Sequence, residues 1–119
     1  MALKNQDFEL WSGDYRILRV EITDGDNPVD LSSFTDIRWA AKHNYRSSAF
    51  TVKKSLGAGI TLEASADNNI FLVELSPTDT IDLSGIFYHE AEGVDMNGNP
   101  STLLTGEMYI HPAILKPVI

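Results

Sequence analysis

Residues 82–110, DLSGIFYHEAEGVDMNGNPSTLLTGEMYI, are the stretch that most restricts the fold. Nothing inside it repeats at helical spacing, and it splits into two extended runs, residues 86–95 and 101–110, around Asn97-Gly98. A short hairpin turn needs positive backbone angles. Glycine reaches them without a Cβ clash, and asparagine tolerates them better than most residues. In the first run Phe87, His89 and Ala91 alternate with Tyr88, Glu90 and Glu92. The carboxylates favour water, which directs Phe87 and Ala91 into a core. A chain carrying this hairpin is an antiparallel β domain.

The rest of the chain has the same grain. Apolar runs separated by turn signals recur about every ten residues, as in sandwiches and barrels. Phe8–Trp11 is a first short strand, and in residues 15–23 Leu18, Val20 and Ile22 share one face while Arg19 and Glu21 take the other. After a turn cluster at residues 24–28, residues 36–42 alternate Ile37, Trp39 and Ala41 with Arg38, Ala40 and Lys42, which makes Trp39 the candidate central core residue. Residues 43–49 break the pattern and read as a loop. A strand over 50–55 follows, with Lys53-Lys54 suggesting a sheet edge or exposed end. Gly57-Ala58-Gly59 allows a bend into 60–63, and Asp67-Asn68-Asn69 turns the chain into 70–75, with Phe71, Val73 and Leu75 inward. Ser76 before Pro77 has the form of a helix cap and first helical position, so one helical turn is expected over 76–80. Pro112 ends the last strand and Pro117 keeps the tail extended. The expected fold is all-β, an Ig-like antiparallel β-sandwich of seven or eight strands with one short helical turn. It forms one domain over residues 1–119, with extended N- and C-terminal arms.

Composition narrows the chemistry. The 119 residues are long enough to bury a core, and 43% hydrophobic with 22% charged residues is a globular balance. With no cysteine, there is no disulfide, thiol nucleophile or cysteine-based zinc site. MALKNQDFEL has no apolar run of the signal-peptide kind, so the expected compartment of synthesis and maturation is a cytoplasm. The net charge of −8 is uneven: residues 1–54 carry eight basic and eight acidic side chains, whereas residues 55–119 carry Lys116 against nine acidic ones. Phosphate binding needs clustered cations, so nucleic acid is not expected as a direct partner, and no membrane partner is expected. The acidic half is a solvated face, a docking face for a basic protein surface, or a face that repels identical neighbours.

Few residues suggest chemistry. His43, His89 and His111 lie in separate elements, and His89 is on the strand face opposite Glu90 and Glu92, so the three cannot converge on an ion unaided. Asp24, Asp26 and Asp30 surround a turn without the spacing of a calcium-binding EF-hand. No serine has a nucleophile-elbow context, no glycine-rich phosphate loop precedes a helix, and no carboxylate pair is singled out. Trp11, Tyr45 and Tyr88 are candidate exposed aromatics, too dispersed in sequence for a stacking platform. The expectation is no catalytic residue, no cofactor and no metal.

Three segments carry a resemblance: GDYRILRVEITDGDNPVDLSSFTDIRWAAK, LSPTDTIDLSGIFYHEAEGVD and GNPSTLLTGEMYIHP. Their order resembles that of small immunoglobulin-like structural proteins of tailed bacteriophages, including the N-terminal module of baseplate upper proteins. A Gly-Asp precedes the first long strand, and a Pro-Val-Asp-Leu loop leads into a strand ending in Ala-x-Lys. An acidic helical turn then precedes an aromatic-x-x-Glu strand and a Gly-Asn hairpin. The match spans roughly residues 13–112, is weakest at 43–69, and departs where Phe87-Tyr88 stands in place of the usual Tyr.

The resemblance implies a non-enzymatic, multi-copy virion protein that binds other virion proteins. Because the chain ends seven residues past Pro112, the expected role is a head decoration (cement) protein contacting the major capsid protein. A tail or baseplate adaptor is the alternative. A carbohydrate-binding accessory domain is a third reading, requiring an exposed aromatic platform or convergent carboxylates. The expected partner contacts are Phe8 and Trp11 at one end and Ile114, Leu115 and Ile119 at the other; both ends could equally pair as edge strands of their own domain.

Overall fold

A computed structural model describes residues 2–47 and 49–115, so the expected contact Ile119 lies outside the described residues. The elements run β1 Phe8–Trp11, β2 Arg16–Glu21, β3 Thr23–Asp24, β4 Asn27–Pro28, a 3-10 turn at Leu31–Ser33, and β5 Asp36–Lys42. They continue with β6 Val52–Leu56, β7 Gly59–Leu62, β8 Ile70–Leu75, α1 Pro77–Thr80, β9 Gly85–Val94 and β10 Pro100–His111. Eight strands form one sheet in the order β1-β10-β9-β5-β6-β7-β8-β2, and β3 and β4 form a separate two-stranded ribbon. The long sheet curls so that the inward faces of β5, β9 and β10 meet those of β2, β7 and β8 around one core. This is the expected all-β, sandwich-like architecture. Pairing is antiparallel except between β1 and β10 and between β6 and β7.

Alternation places the core. Ile37, Trp39 and Ala41 of β5, Phe71, Val73 and Leu75 of β8, and Phe87 and Ala91 of β9 are all buried, with Trp39 1% exposed. Each such large aliphatic or aromatic side chain contributes about 1.5–3 kcal/mol relative to an exposed one. The inward residues Leu18 and Val20 of β2 are only half-buried, because β2 is an end of the sheet order and no strand covers its outer side among the described residues.

The turns show why some boundaries differ from expectation. Residues 95–99 join β9 to β10 by a type I turn closed by Gly98 N–H to the Asp95 carbonyl (3.0 Å), with Gly98 left-handed at φ 81°. Asn97 does not take a positive φ, because the loop is the longer form in which one glycine closes a type I turn. The Asp95 carboxylate accepts from Asn97 and Asn99 N–H, so its place here is turn closure. Asp30 likewise accepts from Ser32 N–H and opens the 3-10 turn, a short helical element not anticipated from sequence.

β6 is not the expected edge. It lies between β5 and β7, and Lys54 turns inward to meet Asp79 Oδ2 at 2.9 Å. The Asp79 carboxylate also accepts from Ser76 N–H at 2.7 Å, capping α1 where Ser76-Pro77 predicts a helix start. Burial raises the Asp79 pKa, but the bonds from Lys54 and Ser76 outweigh it and hold the carboxyl below its usual range.

Candidate functional site

The outward faces of β5, β6, β9 and β10 build a cleft of about 320 Å³. Register determines its shape. Lys53, Ala40, Glu90 and Thr105 form one cross-strand row over four strands, and the small Ala40 leaves the floor open between two long side chains. One side of that row holds Lys42 opposite Tyr88, and the other holds Arg38 opposite Glu92. The loop after β5 then folds back over the sheet and lays Tyr45 on Tyr88, rings stacked at 4.3 Å and 27°. Tyr45 stays 74% exposed, so its outer ring face is available to a ligand. Phe50 completes the wall, with the Lys42 and Lys53 ammonium groups 4.7 and 5.1 Å from its ring centre. Arg38 is engaged by Asp36 at 3.1 Å and Glu92 at 3.2 Å, which raise its pKa and secure its charge.

Thus two of the three aromatics that look too dispersed in sequence for a platform, Tyr45 and Tyr88, are brought together by the fold, while Trp11 lies elsewhere, on His111. Alternation places Tyr88, Glu90 and Glu92 on one outward face, and Arg38, Ala40 and Lys42 on another. The pairing of β5 with β9 and the return of the 43–50 loop, which bring those faces together, leave no local signature.

Beneath this surface His89 is 6% exposed and faces the core, away from Glu90 and Glu92. Trp39 Nε1–H donates to His89 Nδ1 at 3.1 Å, so Nδ1 is an acceptor and the proton sits on Nε2. Nε2–H in turn donates to the Gln6 carbonyl at 2.7 Å. Burial lowers the His89 pKa, opposed by the Gln6 carbonyl and by Asp7. Because the folded value lies below the unfolded one, the neutral ring's contribution is complete above about pH 6.5 and is lost as pH falls through the lowered value. The melting temperature of the chain should therefore fall on acidification below about pH 6.5. His89→Gln should flatten that part of the profile; an unchanged slope would show that His89 does not carry it.

The residues expected to meet a partner divide. Phe8 is half-buried against the core, edge-on to His89 at 5.0 Å, and is not displayed. Trp11 is 47% exposed and stacks on His111 at 4.5 Å, next to Tyr109 and to Glu9, whose carboxylate lies 2.9 Å from His111 Nε2. The parallel pairing of Trp11 with His111 puts this cluster where β10 ends, and there the chain leads into Ile114 and Leu115, 99% and 90% exposed. A second concavity, of about 360 Å³, opens between residues 5–8 and β2, over Trp39, His89 and Leu104. Among the described residues no group of three or more His, Asp or Glu side chains is placed to hold a metal ion, and no helix is long and apolar enough to cross a membrane.

No family model matches the chain, and no curated protein matches it. Among solved structures it is similar to AggA, the major subunit of aggregative adherence fimbriae type I from Escherichia coli, at 11% identity and a TM-score of 0.32 over 92% of this chain and 90% of that one. A superposition that loose carries no argument about function.

Proposed function

We propose that this chain is a non-enzymatic structural protein of a tailed-bacteriophage virion, a decoration module that binds the head in many copies and stabilises it. The reading is supported by the resemblance of its segment order to that of small immunoglobulin-like virion proteins. The observation that carries it is the apolar display at the end of β10. Ile114 and Leu115, almost fully exposed, follow β10 three and four residues after His111, whose ring stacks on the half-exposed Trp11. Apolar side chains so exposed gain free energy when a neighbour covers them, about 25 cal/mol for each Å² removed from water. The acidic character of the chain, −8 overall, favours a partner surface that offers basic side chains around that apolar contact.

Removing residues 113–119 tests the reading directly. The shortened chain should keep its fold, because among the described residues the strands end at His111, yet fail to join particles assembled without the native protein. Normal incorporation of a folded, shortened chain would remove the terminal contact from the account.

A further inference from the structure

We infer that the outward cleft of β5, β6, β9 and β10 is a binding site for a neutral hexopyranose, one or two rings of a glycan. Three properties of the cleft point to this class. The first is the exposed ring face of Tyr45, held in place by Tyr88 behind it at 4.3 Å. A flat aromatic face backed by a second ring is a rigid surface for the C–H face of a sugar and loses little entropy on binding.

The second is charge balance. The cleft is lined by the cations Arg38, Lys42 and Lys53 and the carboxylates Glu90 and Glu92, and Asp36, outside the lining, joins Glu92 in pairing with Arg38. An anion at Arg38 would have to displace its partners, and one at Lys42 or Lys53 would share the cleft with the Glu90 carboxylate, unpaired among the described residues. A cationic ligand would meet Lys42 and Lys53 already over Phe50. A neutral ligand costs neither.

The third is the set of polar groups left without partners. Among the described residues the Glu90 carboxylate and the hydroxyls of Tyr45, Tyr88 and Thr105 make no hydrogen bond or ion pair. They line the cleft together and supply both acceptors and donors, which matches the alternating hydroxyls of a pyranose. The volume of about 320 Å³ lies at the small end of the range, about 300–1,000 Å³, that small-molecule sites occupy.

The experiment titrates the isotope-labelled full chain with the methyl glycosides of glucose, galactose, mannose and N-acetylglucosamine at millimolar concentration, and separately with inorganic phosphate, following amide resonances. The expected result is a saturable shift of residues 40, 45, 88 and 90 with at least one glycoside. Tyr45→Ala, which removes an exposed loop ring, should weaken that binding roughly tenfold. Ala40→Met, which fills the floor and leaves every polar group in place, should abolish it while the remaining spectrum stays that of the folded chain. No saturable shift at the cleft with any of the four glycosides, phosphate bound in preference to all of them, or glycoside binding unaffected by both substitutions would each overturn the assignment. The measurement needs no virion, so its outcome is separate from that of the decoration reading.

Discussion

Trp39→Ala should lower stability by about 3–5 kcal/mol, the cost of deleting a large aromatic side chain from a close-packed interior. For a domain of this size that is a fall of roughly 10–20 °C in melting temperature. The side chain is 1% exposed at the centre of the core, and β5, on which it sits, is held by β6 on one side and β9 on the other. The indole also orders the N-terminal segment, because its N–H holds His89 Nδ1 and His89 in turn fixes the Gln6 carbonyl. Trp39→Phe separates the two contributions. It keeps most of the buried ring but leaves Nδ1 without its donor, at an expected cost of about 1–3 kcal/mol. A melting temperature unchanged in Trp39→Ala would contradict the packing described here.

Gly106→Ala should cost about 2–4 kcal/mol, combining overpacking with a lost hydrogen bond. A Cβ at Gly106 would strike the Gln6 carbonyl and reach His89 Nε2 at 2.8 Å. Backbone cannot move aside there without disturbing the bonds that tie residues 3–6 to β10, Leu3 N–H to Leu103 and Gln6 N–H to Thr105, at 2.9 and 3.0 Å. The substitution therefore unseats the N-terminal segment in particular. In a chain lacking residues 1–7 the same change should cost little, and double-mutant comparison by denaturant unfolding measures the difference. An equal cost in both backgrounds would place the strain elsewhere.

Strand positions are legible in the sequence wherever one face is buried and the other wet. β5 and β8 have the ends that alternation predicts, and α1 begins at the Ser76-Pro77 cap. Features that depend on distant pairing are not legible. Lys53-Lys54 suggests an edge or an exposed end, but Asp79, which makes an inward Lys54 tolerable, is 25 residues away and on another element. The 3-10 turn at Leu31–Ser33 depends on one aspartate carboxylate bonding a backbone N–H two residues on, a geometry that turn composition permits without requiring. The same limit governs the candidate site. Alternation puts the strand residues of the cleft on the correct face, yet Tyr45 and Tyr88 are 43 positions apart and only the loop after β5 joins them. Phe8 is open to two local readings, arm contact or edge strand, and the parallel pairing of β1 with β10 gives the second, carrying it inward against His89.

The central functional claim is best tested by adding the purified chain to phage particles assembled without it, separating heads from tails, and following the protein through a density gradient. The decoration reading predicts that it sediments with heads at many copies per particle and raises their resistance to heat. Sedimentation with tails alone would move the module to the baseplate or tail, and sedimentation with neither would contradict a virion role.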